Sequence, residues 1–454
     1  MTERLSLILA LWVVVGVGLW AARRRSPLHP LVVLLLTTGL LGSFQPLLSA
    51  FVTARTWRNG THASEAVMRT VQVDFLVFAV ALVLAWSALG QVRWLSAAPA
   101  QSGARLAHRD RLVSWTLLLG GGALYGLFIA RVGLAPLLDR SNYAEKHAAA
   151  QSLGPLLFGL YIAMSACFWA EAGRLTTRQK LPFRLVAAGI CVWSIAFLAV
   201  RTNAALVALG YLSIFCAQRN WQLRRVRPSL ILALLGLFLA GEAFAMARGA
   251  WKDDDFKSAL MEVKSMGLAN EHALSSLLGS SELAHPFYTA LELVQSESAG
   301  ELGGMSYLNA PRILVPLALD PNRPRTLSQR FAYEHYPGLS DRGGGAAFSF
   351  LGEAWWNFGP VVGALLLGLA LGFAFTLWDQ ALAWRPHGAL ARLTPYLLGL
   401  TAFLQRTESA TVLKPLFSIA MPTLAALALA SLLWQGERGA GRARTRGPAL
   451  PTRA

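Results

Sequence analysis

Charge is scarce in this chain. Asp, Glu, Lys and Arg make up 14% of its 454 residues, whereas soluble globular proteins carry about 25% charged residues. Hydrophobic residues make up 55% of the chain, and the mean hydropathy is +0.46. This composition excludes an ordinary soluble domain and indicates a membrane protein.

Cysteine is scarce as well, and several familiar motifs are missing. Cys167, Cys191 and Cys216 all lie in apolar runs, so neither a disulfide framework nor a cysteine-based metal site is expected. The chain has no phosphate-binding Gly-Lys-Ser/Thr loop, no paired-histidine zinc helix and no nucleophile elbow. We therefore predict no metal site and no cofactor.

Acidic residues are fewer than basic ones, 24 against 41, which gives a formal net charge of +17. A basic balance can indicate nucleic-acid binding. Here most arginines lie in short loops between apolar runs, where basic residues determine membrane topology. No nucleic-acid partner is expected.

Apolar runs long enough to cross a membrane are abundant. A membrane-spanning helix needs about 20 apolar residues. Candidate runs lie near 5–22, 31–52, 71–90, 112–131, 154–172, 184–200, 203–218, 229–247, 359–378, 389–405 and 415–434. The predicted fold is all-α: a polytopic helical membrane protein with about eleven transmembrane helices and a large external loop between the eighth and ninth spans. The first run lacks a small-residue cleavage pattern, so it is predicted to be a retained span.

This pattern divides the chain into four segments. They are N-terminal membrane helices over 1–247, a loop over 248–350, C-terminal membrane helices over 351–435 and a disordered basic tail over 436–454. The loop should hold short amphipathic helices first and a mostly irregular Pro/Gly-rich segment from Gly300. Asp253, Asp254 and Asp255 precede the helical pattern, and such a run favours a helix cap over a metal site.

Basic residues fall on every second loop. These loops include 23–25, 93–111, 174–184, 219–227 and 385–392, and the tail continues the pattern. Because cytoplasmic loops are enriched in Lys and Arg, we predict an external N-terminus, a cytoplasmic C-terminus and an external 248–350 loop.

The stretch from Pro311 to Gly372 has the features of a site at a membrane surface. A polar, glycine-rich loop leads into an apolar span, and Glu353 lies at the junction beside Trp355 and Trp356. A carboxylate at membrane depth costs about 2.5–3.5 kcal/mol, so Glu353 should face protein or a wet cavity. Gly359 and Pro360 should interrupt or start the helix.

Charged residues inside or beside the spans cluster on the predicted outer side. They are Asp74, Arg131, Arg201, Glu242, Arg248, Glu353, Arg406 and Glu408. This distribution predicts a cavity that opens outward, although Arg131, Arg248 and Arg406 also fit side chains that snorkel from helix ends. External arginines at this depth suit a lipid-linked diphosphate, because guanidinium groups bind phosphate oxygens in pairs. Arg140 could bind the same diphosphate or pair with Asp139.

The segment resembles a known family. Arg312, Arg323 and Arg330, followed by Phe350-Leu-Gly-Glu-Ala-Trp-Trp-Asn-Phe-Gly359 and a glycine-rich span, resemble the bacterial O-antigen and oligosaccharide repeat-unit polymerases. Residue-level likeness is confined to about 311–372 and to single positions elsewhere, such as Arg201 and Arg140, and the rest of the resemblance lies in the hydropathy outline. A long-spaced Arg and Gly motif of some members has no copy here.

The resemblance implies a metal-independent glycosyltransferase of the bacterial inner membrane. It would join oligosaccharide repeat units on undecaprenyl diphosphate, outside the membrane, into O-antigen, capsule or exopolysaccharide. Glu353 is the expected general base. The expected substrate-binding residues are Arg140, Arg201, Arg248, Arg330, Arg406, Tyr143, Trp356 and Asn357. Expected partners are the lipid-linked oligosaccharides, membrane lipid, a chain-length regulator and a flippase. Tyr143, Trp355 and Trp356 could stack on sugar rings, although interfacial Trp residues are also typical of a membrane belt.

Three rival functions remain at this point. A lipid-linked oligosaccharide flippase or other transporter usually shows internal repeats, and none is seen. An O-antigen ligase shares the late large loop and the lipid donor, but the surroundings of His285 and His335 differ from the expected histidine motif. A dolichol-type glycosyltransferase should carry an acidic pair in its first external loop, where only Glu65 is present.

Overall fold

The computed structural model describes residues 2–51, 64–90, 103–134, 137, 154–196, 201–226, 284–315, 319–337, 348–384, 392, 394, 401, 404 and 407–445. Within these ranges the regular structure is helical, without a β-strand. Five helices are long and apolar enough to cross a membrane: Thr2–Ala21, Glu65–Leu89, Ala107–Val132, Val362–Ala383 and Ser409–Leu432. The chain is therefore a helical membrane protein, as its composition predicted.

The N-terminal half forms seven of the described helices. They are α1 (Thr2–Ala21), α2 (Pro30–Phe51), α3 (Glu65–Leu89), α4 (Gly103–Val132), α5 (Gly154–Ala172), α6 (Thr177–Ala196) and α7 (Arg201–Gln218). A short 3-10 helix follows at Leu223–Arg225.

The C-terminal half alternates short and long helices. They are α8 (Ala284–Gln295), α9 (Met305–Asn309), α10 (Leu327–His335), α11 (Phe350–Phe358), α12 (Val362–Trp384) and α13 (Ser409–Thr445), with a 3-10 helix at Ala310–Leu314. Each predicted span overlaps one of the long helices, except those at 229–247 and 389–405, most of which lie outside the described residues. The number of spans stays a prediction.

Two apolar cores hold the helices together. The first core is built from α1, α2, α3, α8, α11 and α12, and contains Phe75, Phe287 and Trp355. The second is built from α4, α5, α6, α7 and α13, and contains Phe168 and Trp169. A smaller cluster around Phe331 and Trp356 joins α8, α10 and α11.

The basic loops meet at one end of the bundle, which we call the basic end. The N–H of Leu223 donates to the carbonyl of Arg25 at 2.8 Å, which joins the segments at 23–25 and 223–225. The side chain of Gln218 donates to the carbonyl of Glu171 at 3.2 Å, and the carboxylate of Glu171 binds Arg184 at 2.8 Å. These contacts link three of the predicted cytoplasmic loops.

Asp110 and Asp379 extend the basic end to the remaining loops. Asp110 accepts from the N–H of Arg174 at 3.0 Å and from the guanidinium of Arg392 at 2.8 Å. Asp379, near the end of α12, lies 3.2 Å from the guanidinium of Arg25. The alternation seen in the sequence thus corresponds to loops that share one end of the structure.

The opposite end holds the helix termini on the other side of the bundle. Arg4 and Glu65 form an ion pair there between the starts of α1 and α3. Asp74, one of the predicted outer charges, accepts a hydrogen bond from the N–H of Val361 at 2.7 Å. Helices α8 to α11 pack at this end, so the candidate site lies opposite the basic loops.

The helix break predicted at Gly359 and Pro360 is present. Helix α11 ends at Phe358 and α12 begins at Val362. Gly359 and Val361 have φ angles of 79° and 61°, so the chain turns through the left-handed region that glycine adopts at little cost. The carboxylate of Asp74 binds the Val361 N–H inside this break.

Two segments that were predicted to be irregular contain helices among the described residues. The segment after Gly300, expected to be mostly irregular, contains α9 and α10. Helix α10 forms because Thr326 and Gln329 make a capping box and because Leu327 and Phe331 are buried on one face. In the tail, which was expected to be disordered from 436, α13 continues through Thr445.

Candidate functional site

Glu353 lies in α11, in the first turn of a short buried helix. Ser349 caps this helix, and its hydroxyl accepts the N–H of Gly352 at 2.9 Å. Glu353 is only 1% exposed. The prediction that this carboxylate faces protein and not lipid is consistent with that burial.

Hydroxyl and amide donors surround the Glu353 carboxylate. Oε1 accepts from the hydroxyls of Ser306 and Ser409, each at 2.7 Å. Oε2 accepts from the backbone N–H of Ser409 at 2.6 Å. Within the described ranges no Arg or Lys forms an ion pair with Glu353. The carboxylate is therefore held by neutral donors.

The pKa of Glu353 reflects this environment. Burial raises it above the ordinary glutamate value, and the hydrogen bonds from Ser409 and Ser306 oppose the rise. Because burial is the largest contribution, the net direction is upward. A raised carboxylate pKa is typical of a group that exchanges protons near neutral pH.

Glu408 lies beside this group, at the start of α13. It is 1% exposed, and it accepts hydrogen bonds from the N–H of Ser328 at 3.0 Å and from the hydroxyl of Thr411 at 3.1 Å. Burial and the charge of Glu353 raise the pKa of Glu408 from 4.5 to about 7. In the sequence Glu408 is a charge beside a span, and nothing in the sequence places it next to Glu353.

Asn357 supports the site instead of facing a ligand. Its amide nitrogen donates to the Ser306 hydroxyl at 2.6 Å and to the Glu353 carbonyl at 2.7 Å. Its amide oxygen accepts the N–H of Ser306 at 3.3 Å. With its side chain 1% exposed, Asn357 orients Ser306 toward Glu353, and the predicted direct contact with substrate does not fit this geometry.

Trp356 and Arg330 also have packing roles in this structure. Trp356 is fully buried, and its ring packs against Phe331 and Phe348. The guanidinium carbon of Arg330 lies 5.0 Å from the centre of that ring. Trp356 presents no open face for a sugar, because aromatic and cationic neighbours cover it. The predicted stacking role does not fit this burial.

Arg330 is bound by acidic side chains as well. Its guanidinium donates to Glu334 at 2.7 Å and to Glu301 at 3.3 Å. The side chain is 36% exposed, so it can still be reached from solvent. Arg330 is the one predicted substrate-binding arginine whose side chain the described residues include.

The other predicted substrate-binding residues fall outside that description. Arg201 is the first residue of α7, but its side chain is not described. Neither the backbone nor the side chain is described for Arg140, Tyr143, Arg248 and Arg406. Their proposed roles stay predictions.

Two cations at one edge of the site, Arg323 and Lys414, were not predicted from the sequence to be site residues. Arg323 donates to the carbonyls of Val315 at 2.9 Å and Ile313 at 3.4 Å. Lys414, in the second turn of α13, interacts electrostatically with both Arg323 and Glu408. Ile313 packs against the first turns of α13, so Arg323 and Lys414 lie along the same edge of the site. Arg323 lies in a Pro-rich loop and Lys414 in an apolar helix, and nothing in the sequence shows that the two lie close together.

A metal site is not among the arrangements found. The described part of the chain contains no group of three or more His, Cys, Asp or Glu side chains placed to hold an ion. The site therefore consists of two buried carboxylates, hydroxyl donors and two nearby cations.

No family model, curated protein or solved structure matches this chain.

Proposed function

We propose that this protein is a membrane glycosyltransferase that polymerises oligosaccharide repeat units carried on a polyprenyl diphosphate such as undecaprenyl diphosphate. One observation carries the proposal. Glu353 and Glu408 form a buried carboxylate pair at the end of the bundle opposite the basic loops. Two hydroxyl groups already donate hydrogen bonds to the Glu353 carboxylate. A carboxylate that binds hydroxyls is suited to deprotonate a sugar hydroxyl.

In the proposed reaction, Glu353 acts as the general base. The acceptor hydroxyl takes the place of the Ser306 or Ser409 hydroxyl and gives its proton to the Glu353 carboxylate. Its oxygen bonds to the anomeric carbon of the growing chain. The bond between that carbon and the diphosphate oxygen breaks, and its electron pair leaves with the lipid diphosphate. No nucleotide is consumed.

Glu408 tunes this step. With a pKa of about 7, it is partly protonated at neutral pH, so the pair carries less than two negative charges. Like charges held together resist full ionisation. A partly neutral Glu408 allows a diphosphate to approach Glu353 without strong repulsion, and it can return a proton after the transfer.

Cations stabilise the departing diphosphate in this mechanism. Lys414 interacts electrostatically with Glu408 and with Arg323, and charge-assisted hydrogen bonds from such cations bind phosphate oxygens strongly. Arg140, Arg201, Arg248, Arg330 and Arg406 are proposed as further members of this clamp. Arginine and lysine would then supply the positive charge that many glycosyltransferases take from a metal ion.

The proposed location is the bacterial inner membrane, with the site on its outer face. The support is the shared basic end, which faces the cytoplasm if the positive-inside rule holds for this chain. Lipid-linked repeat units would then reach the site after they have crossed the membrane.

Reconstitution tests the proposal. Purified protein in lipid vesicles is mixed with polyprenyl-diphosphate-linked repeat units, without nucleotide and with a metal chelator present. The expected products are longer lipid-linked glycans and free polyprenyl diphosphate. One polyprenyl diphosphate should be released for each new glycosidic bond. Transfer only to a lipid A core acceptor would indicate a ligase, and movement of the substrate between leaflets without new glycosidic bonds would indicate a flippase.

A further inference from the structure

Helix α9 has an exposed apolar face, although it lies in the part of the chain that the sequence predicts to be an external loop. Met305 and Leu308 are 51% and 73% exposed. Single exposed apolar residues are common on proteins. These two are three positions apart in a helix, however, so they lie on the same face. Together they form an apolar surface outside the long helices.

The other face of α9 contacts the candidate site. The Ser306 hydroxyl donates to Glu353 at 2.7 Å, and the Tyr307 ring stacks on the Phe358 ring with their centres 6.0 Å apart. Because an α-helix turns by about 100° per residue, Ser306 and Tyr307 point away from the exposed face. Helix α9 therefore stands between Glu353 and whatever contacts its apolar surface.

The apolar surface of α9 lies next to the start of a candidate membrane span. A Cβ at Gly304 would lie 3.4 Å from the Phe358 ring, so the start of α9 packs on the end of α11. Helix α12 follows directly, and it is long and apolar enough to cross a membrane. The exposed apolar side chains continue from α9 into the start of that span: Phe358, Val361, Val362 and Leu365.

The segment after α9 reaches a second candidate span. In the 3-10 helix at Ala310–Leu314, the side chains of Ala310 and Ile313 pack against Ala410 in the first turn of α13. Helix α13 is also long and apolar enough to cross a membrane. Helix α9 is thus held between the starts of two spans, at the end of the bundle opposite the basic end.

Charged residues flank this segment without interrupting it. No charged residue lies between Glu301 and Arg312 in the sequence. The side chain of Arg312 is 47% exposed and binds Asp320 at 2.8 Å. Segments that lie in a membrane interface combine an apolar face with basic side chains at the level of the headgroups. The charge distribution around α9 is of this kind.

We propose that α9 inserts into the lipid bilayer, with Met305 and Leu308 in the hydrocarbon at the end of the bundle opposite the basic end. Interfacial segments bury their apolar face about 5–10 Å into the boundary between headgroups and acyl chains. Lipid is favoured over a second protein chain, because the surface of α9 is continuous with side chains of α12 that face lipid in a membrane span. This insertion is independent of glycosyl transfer, and it places hydrocarbon on the side of α9 opposite Glu353.

Spin labels on single cysteines test the insertion in the full-length protein, reconstituted in phosphatidylcholine vesicles. L308C and M305C are labelled separately. Collision rates are measured with oxygen, which concentrates in hydrocarbon, and with a water-soluble nickel chelate. We expect both labels to collide more with oxygen than with nickel, at a depth of about 5–10 Å below the headgroup boundary.

Two further positions calibrate the measurement. L365C, in α12, should show the lipid pattern, and Q295C, at the exposed end of α8, should show the water pattern. All variants also carry C191A, because Cys191 is half-buried whereas Cys167 and Cys216 are buried. The C191A parent, treated with the same label, gives the background.

Two results would overturn the insertion. One is a label at position 308 or 305 that collides mainly with nickel, as at Q295C, because that label lies in water. The other is a label that is immobilised and shielded from both reagents, because protein then covers α9. If one of the two variants does not fold, the other alone decides.

Discussion

Glu353 accepts both the backbone N–H and the hydroxyl of Ser409, at 2.6 and 2.7 Å. This pair joins α11 to the first turn of α13, although the two residues are 56 positions apart in the sequence. A carboxylate at a helix N-terminus is stabilised by the helix dipole. Glu353 can therefore both hold the structure together and carry out proton transfer, and its variants must separate the two roles.

The raised pKa of Glu408 should make the unfolding free energy depend on pH. Its pKa is raised from 4.5 to about 7 in the folded protein, so the protonated form is favoured by folding. Its stabilising contribution is complete below about pH 4.5 and is lost as the pH rises through about 7. The loss amounts to about 3 kcal/mol. Unfolding free energy measured in mixed micelles between pH 5 and 8 should show this decline.

Glu408→Gln is the matched control, because the amide imitates the protonated acid at every pH. Its unfolding free energy should vary less than that of the wild type over the same range. Parallel curves for the two proteins would show that Glu408 titrates normally in the folded state.

The hydrogen bond between Asp74 and the Val361 N–H should stabilise the helix break. It accepts the N–H of Val361 at 2.7 Å, and its second oxygen is buried without a described partner. Asp74→Asn keeps an acceptor and removes a buried charge, so it should be at least as stable as the wild type. Asp74→Leu leaves the Val361 N–H unsatisfied and should cost about 1–3 kcal/mol of unfolding free energy. Equal stability of the two variants would contradict this role.

The long helices could be predicted from the sequence, and so could the helix break. Apolar length predicts spans, and Pro360 removes a backbone donor where glycine precedes it. The alternation of basic loops also matched the structure, since the contact of Leu223 with Arg25 places two of those loops together. These features depend on local composition, which a sequence shows directly.

The site could be predicted only in part. Glu353 stood out as a carboxylate at the start of a span, but its contact with Ser409 and its closeness to Glu408 depend on packing between distant helices. Trp356 looked available for a sugar, because no local pattern reveals that Phe331 and Arg330 cover its ring. The capping box at Thr326 and Gln329 was readable in the sequence and would have predicted α10.

Replacement of Lys414 should weaken the stabilisation of the departing diphosphate. Lys414→Gln removes a cation next to Glu408 and Arg323, and it should lower kcat/KM for the lipid-linked donor about 10- to 100-fold. Lys414→Arg keeps the charge and should retain most activity. Arg178→Gln, at the basic end, is the control. Wild-type turnover by Lys414→Gln would remove Lys414 from the clamp.

The orientation predicts where two reporter fusions are active. An enzyme that works only outside the cytoplasm, fused after Ser298, should be active because the α8 to α11 end is proposed to face outward. The same enzyme fused after Arg225, at the basic end, should be silent. The reverse pattern would place the Glu353 site in the cytoplasm and contradict the proposed outer-face reaction.

The rate of polymer formation by Glu353→Gln, compared with Glu353→Ala, tests the central claim most directly. Gln keeps the size and most hydrogen bonds of Glu353 but cannot accept a proton. If Glu353 is the general base, the Gln variant should fold and bind the lipid-linked donor, yet polymerise about 10²- to 10⁴-fold more slowly than the wild type. A Gln variant with nearly normal polymer formation, beside an Ala variant that is merely unstable, would contradict the base role and leave Glu353 as a structural link between α11 and α13.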